Sequence, residues 1–119
     1  MSALRIKRVY EPEDKQDGYR ILVDRLWPRG LKKDTAGIDE WLKEVAPSAA
    51  LRKWFSHDPE RWAEFKTKYL AELNNNDAWK ELLDRVRSHQ TVTLVYAAKD
   101  EVHNQAVVLL EHLQKALKK

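Results

Sequence analysis

Cysteine is absent from this chain. That excludes disulfides, thiolate catalysis and cysteine-ligated zinc together. Glycine and proline are sparse, three and four residues, and they are scattered as punctuation. Gly18, Gly30 and Gly37 match no glycine-rich phosphate loop or nucleotide fingerprint. No serine sits in a Gly-x-Ser-x-Gly elbow. The four histidines, at 57, 89, 103 and 112, lack a short metal-ligand spacing, so neither a metal nor another cofactor is expected. No apolar run approaches the roughly 18 residues of a membrane span. The opening Met1-Ser2-Ala3-Leu4-Arg5-Ile6-Lys7-Arg8 has no apolar stretch, so no signal peptide is expected and the cytoplasm is the expected location.

What is present excludes a disordered chain, since 43% of the residues are hydrophobic and five are tryptophan. A length of 119 residues, without repeat, linker or low-complexity tract, suits one domain spanning 1–119. The balance of 22 basic against 19 acidic residues leaves only +3, a weak argument for a nucleic-acid partner.

Three segments read as strands, near 4–9, 19–24 and 91–96. Leu4 and Ile6 share a face, Tyr19 to Asp24 holds a short apolar run, and Thr91-Val92-Thr93-Leu94-Val95-Tyr96 is rich in β-branched residues. Helical spacing links Trp62, Phe65, Tyr69 and Leu73, then Trp79, Leu82, Leu83 and Val86, then Ala106, Leu110, Leu113 and Leu117. Asp58 and Pro59 form a helix-start signature, and Ser48 and Ser56 read as caps. Between Gly37 and Ser48, Ile38, Trp41, Leu42 and Val45 fit a helix better than a short strand. The pattern predicts an α/β sandwich with a small, mostly parallel sheet of three to four strands flanked by helices. Residues 25–90 are ample for a parallel crossover between the second and last strands. The first strand joins either antiparallel or parallel through an irregular loop.

Ligands of open α/β sheets bind beyond the carboxyl ends of the strands. Two segments leave such ends here, Asp24-Arg25-Leu26-Trp27-Pro28-Arg29-Gly30 and the stretch from Tyr96 to Gln105. Arg25 and Arg29 supply forked donors for a phosphate or carboxylate, and Lys99 adds a point charge. Each taken alone also suits an ordinary ion pair or a solvated surface. A second basic cluster runs from Arg52 to Trp62, where His57 beside Asp58 is either a general base with its orienting carboxylate or the lead-in to a helix. Its interleaved Arg and Trp would also serve as a base-stacking surface.

These residues carry a resemblance. Arg8-Val9-Tyr10, the run from Asp17 to Gly30, Trp41 to Ser48, Leu51 to Phe55 with His57-Asp58-Pro59, and Tyr96 to Ala106 resemble the YeaO-like branch of the domain-of-unknown-function 488 family. The resemblance implies an α/β fold with a largely parallel sheet, and it favours a strand at 37–42. In the wider family an Asp-x-Arg segment ends one strand, and a Cys-bearing segment with a Cys-His-Arg pattern ends another. Here the first is rearranged to Asp24-Arg25-Leu26-Trp27-Pro28-Arg29, and Ala97, Ala98 and His103-Asn104-Gln105 stand where the second would fall. The polar positions that coincide with the YeaO-like motifs are Arg25, Arg29, Lys43, Ser48, Arg52, His57, Lys99, Asp100, His103 and Asn104.

The expected function is binding of a small anionic ligand of the phosphate type, with or without chemistry on it. His103 or Asp100 is then the acid/base candidate. Arg25, Arg29, Lys43, Ser48, Arg52, His57, Lys99 and Asn104 are the binding candidates. The alternative is a nucleic-acid accessory module that uses the Arg/Trp surface, and a third possibility is a protein-binding scaffold.

Overall fold

The computed structural model describes residues 3–118. Met1 and Ser2, which belong to the N-terminal stretch read above, and Lys119, the end of the expected domain, lie outside them. The chain forms β1 (Ala3–Arg8), β2 (Tyr19–Leu22), β3 (Glu40–Trp41), α1 (Ala49–Phe55), α2 (Trp62–Asn74), α3 (Asp77–Ser88), β4 (Thr91–Tyr96) and α4 (Gln105–Leu117). The four strands make one sheet in the order β1-β4-β2-β3, and every pairing is parallel. The two strands expected to be parallel neighbours, β2 and β4, pair with Ile21 opposite Leu94.

The first strand takes the second of its two open arrangements. It runs parallel to β4 and returns through an irregular loop containing one 3-10 turn, Lys15–Asp17. Gly18 is needed at the end of that loop. Its φ is +67°, and a Cβ there would stand 2.3 Å from the Thr91 carbonyl oxygen.

The helix favoured by spacing at 37–48 does not form. Glu40–Trp41 adds to the sheet edge, and Lys43–Val45 is a 3-10 turn. Tertiary hydrogen bonds decide it. The Asp39 amide donates to the Arg20 carbonyl at 2.9 Å, and the Leu42 amide donates to the Leu22 carbonyl at 3.0 Å. The apolar residues also part company. Ile38 and Trp41 pack with Val9, Leu22 and Val95, whereas Leu42 and Val45 join the main core. A helical stripe would have faced them one way.

Alternation sorts the sheet into two unlike faces. Ile21, Val92, Leu94 and Tyr96 meet Leu51, Phe55, Phe65, Tyr69, Leu82, Val86, Leu109 and Leu113, so α1 to α4 all contribute to one core. The opposite face carries Arg20 and Thr93, buried, beside Leu22 and Val95. There the covering is loop. The Arg20 guanidinium donates to Asp17 at 2.5 Å and to the Gly37 carbonyl at 2.9 Å, and the Thr93 hydroxyl donates to the Asp17 carbonyl at 2.7 Å. Polar anchors thus hold down the two connections that flank β2.

A cationic cleft at the carboxyl ends of β2 and β4

Where β2 and β4 end, the chain leaves a cleft of about 760 Å³. Residues 24–29 form one wall and residues 97–100 with 103–105 form another. Ala46, Pro47, Arg52, Phe55, His57 and Phe65 close the third side. Eight of the ten motif-matching polar residues therefore gather in one place. They are Arg25, Arg29, Arg52, His57, Lys99, Asp100, His103 and Asn104. The second basic cluster is part of the same site as the strand ends, because α1 delivers Arg52 and its C-terminal turn delivers His57. Ser56 and His57 both adopt positive φ, 46° and 57°, which turns the chain sharply there.

Lys43 and Ser48 are not among the residues lining the cleft. The Lys43 ammonium lies 5.4 Å from the Trp41 ring centre. Ser48 is the N-cap of α1: its hydroxyl accepts from the Leu51 amide at 3.1 Å and donates to Glu72 at 2.6 Å. Ser48→Ala is accordingly expected to cost about 1–2 kcal/mol in urea unfolding. It should leave any ligand affinity of the cleft unchanged.

The cations of the cleft divide into two kinds. Arg25 is partly structural. One terminal nitrogen donates to the Ala46 and Pro47 carbonyls at 3.0 and 3.4 Å, and the other pairs with Glu44 at 3.3 Å. Its Nε is buried with no hydrogen-bond partner among the described residues. Arg29, Arg52 and Lys99 are exposed, and no carboxylate of a described residue forms a salt bridge with them. The loop that carries Arg29 is tied back by the Tyr10 hydroxyl, which donates to the Arg29 carbonyl at 2.8 Å. Arg8 does the same for the other wall, donating to the Ala98 and Ala97 carbonyls at 2.9 and 3.3 Å.

The acids also divide. Asp100 is bound up within its own loop. Its Oδ1 accepts from the Val102 and His103 amides, and its Oδ2 meets His103 Nδ1, each at 2.9 Å. Those amides, with the imidazole, hold its pKa down at about 2. Asp100 thereby fixes the imidazole, whose ring stands edge-on to Trp62 at 5.2 Å. Asn104 lines the cleft but caps α4: Oδ1 accepts from Val107 and Nδ2 donates to the Asp100 carbonyl.

Asp24 is the residue that sequence reasoning passed over as a site residue. It follows the buried run Ile21-Leu22-Val23 directly, at the carboxyl end of the strand. Its Oδ2 accepts from the Ala97 amide at 2.9 Å, and its Oδ1 accepts from the Gln105 side-chain amide. Burial raises its pKa to about 6, against the pull of those two donors and of the Arg52 charge. Gln105 was missed with it. Among the described residues no cluster of three His, Asp or Glu side chains suited to a metal ion occurs.

The model of a family described as the inactive DUF488-N3 subclade matches residues 3–119. The chain is 46% identical over 111 residues to "Uncharacterized protein YeaO" of Escherichia coli, covering 93% of this chain and 96% of that protein. It is 43% identical over 110 residues to "Uncharacterized protein Rv3073c" of Mycobacterium tuberculosis, covering 92% of each. No solved structure matches it. The chain belongs to the inactive DUF488-N3 subclade.

Proposed function

We propose that this member of the inactive DUF488-N3 subclade binds a small phosphate-type anion in the cleft, without chemical turnover. The carrying observation is the trio Arg29, Arg52 and Lys99, gathered around one concavity with no acidic side chain of a described residue in salt-bridge contact. Arg25 Nε supports it as a buried donor with no partner among the described residues. So does the start of α4 at the cleft, where Gln105 lines the wall and the helix dipole favours negative charge. The description of the family as inactive, with the cysteine-free strand ends, supports binding over catalysis. His103, its ring held by Asp100, is then a contact of the anion.

The base-stacking alternative has less support. Trp54 lies between Arg61 and Lys68, at 5.3 and 5.2 Å, and Trp62 packs on Phe55, Phe65 and His103. Calorimetry with inorganic phosphate tests the proposal. Arg52→Ala is expected to weaken phosphate binding about ten- to hundredfold. Because Arg52 is exposed, its unfolding free energy should stay within about 0.5 kcal/mol of wild type. Equal affinity in wild type and Arg52→Ala counts against the proposal. Binding only to oligonucleotides, with a steep salt dependence, would favour the alternative.

A further inference from the structure

Resting on the anion-binding reading of the same cleft, we propose that the ligand is a phosphate ester of a polyol, a sugar phosphate, whose hydroxyl group donates to Asp24. The juxtaposition behind it is the Asp24 carboxyl group in a cleft whose lining also holds the cations Arg25, Arg29, Arg52 and Lys99. A carboxylate repels the charge of a phosphate group, and the dianion of a simple phosphate ester has no O–H to donate to it. It becomes an asset once the ligand brings its own donor.

Asp24 has acceptor capacity left for that donor. A carboxylate offers about four lone-pair sites, and the protein uses two, through the Ala97 amide and the Gln105 side chain. No cation of a described residue closes on the rest. Arg25 next to it turns to Glu44 and to the Ala46 and Pro47 carbonyls, and Arg52 acts on Asp24 through charge with no hydrogen bond between them. The two protein donors stand at either end of the β4–α4 connection, Ala97 just after β4 and Gln105 at the start of α4, so the carboxyl is held in one orientation before a ligand arrives. Asp100 is the contrast, with its oxygens taken by its own loop.

Size and charge narrow the ligand further. About 760 Å³ exceeds what a phosphate ion needs and falls within the range of small organic ligand sites, roughly 300–1,000 Å³. Four cations around the cleft disfavour an amine as the donor to Asp24, which leaves a neutral group. Phe55 and Phe65 also line the cleft, but at 6% and 2% exposure they offer little ring face for a nucleobase, and the third ring there, Trp27, packs edge-on to Trp41 with the Lys33 ammonium over it. A polyol needs no such platform, and its C–H groups can pack against Ala46 and Pro47.

The test is calorimetry near neutral pH with ribose 5-phosphate, methyl phosphate and inorganic phosphate. Wild type is expected to bind ribose 5-phosphate about ten- to hundredfold more tightly than methyl phosphate. In Asp24→Asn that preference should vanish, while methyl phosphate binds at least as tightly as before. Gln105 can turn its amide to accept from the new Asn amide, and thermal melts confirm that the variant is folded. If it is not folded, NMR of the carboxyl carbons in wild type decides. The Asp24 signal should move with ribose 5-phosphate and hold still with methyl phosphate. Equal affinity for the two esters in wild type, a preference that survives in Asp24→Asn, or an unmoved carboxyl signal overturns the sugar-phosphate assignment while anion binding stands. Failure of all three probes to bind overturns both.

Discussion

Arg20→Met is expected to lower the unfolding free energy by about 3–5 kcal/mol, equivalent to a fall in Tm of roughly 10–20 °C. Arg20 is 1% exposed and Asp17 is 3% exposed. Removing the guanidinium leaves the Asp17 carboxylate buried, with Lys7 as its remaining ion-pair partner at 3.1 Å. It also strips the Gly37 and Ala36 carbonyls of their side-chain donor. Both loops that cover this face of the sheet lose an anchor. Replacing Asp17 by Asn in the same chain should recover part of the loss, because the stranded charge goes with it. The pair also sets the behaviour in acid. Burial opposes ionisation of Asp17, but its bonds to the Asp14 backbone, Lys7 and Arg20 prevail and hold its pKa below the ordinary value. A carboxylate depressed in this way contributes stability above its unfolded pKa, and that contribution is lost as pH falls through the folded value. Urea unfolding of wild type should therefore show a loss below about pH 4 that is smaller in Arg20→Met. Two curves of equal stability at neutral pH would contradict the anchoring role.

Asp24→Asn should shift stability the opposite way. Its pKa is raised to about 6 by burial, so the folded protein binds this proton more tightly than the unfolded chain does. Wild-type stability then declines as pH rises from the unfolded value near 4 to about 6, and it stays at the lower level above that. Asn cannot ionise and removes the decline. The gap between the two proteins should therefore move in favour of Asp24→Asn by about 2–3 kcal/mol between pH 4 and pH 7. Urea unfolding at the two pH values measures it. A gap that is the same at both would show that Asp24 titrates in the fold as it does in the unfolded chain. A half-buried acid kept at this cost to neutral-pH stability is what a binding site requires and a core does not.

Much of this architecture can be read from local pattern. Thr91 to Tyr96 and the spaced apolar residues of α2, α3 and α4 satisfy local propensity and burial together, so their positions follow directly. The short segment around Trp41 does not, because long-range bonds to Arg20 and Leu22 override its helical spacing. Arg20 itself left a faint sign, a charge inside an apolar run with Asp17 three residues before it. The cleft was half legible. Strand ends pointed to Arg25, Arg29 and Lys99, but nothing local could reveal that the α1 segment folds Arg52 and His57 onto the same site. Ser48 matched a motif for a different reason, since it caps the helix that carries Arg52. Asp24 looked like any acid at a strand end, and only its burial between Ala97 and Gln105 separates it from a solvated one.

The most direct measurement of the central claim is an amide NMR titration with inorganic phosphate at constant ionic strength, with chloride as the control. If the cleft binds the anion, amides at 27, 29, 52, 57 and 97–105 should shift along one saturating curve that chloride does not reproduce. Shifts scattered over the basic surface, without saturation and matched by chloride, would contradict it.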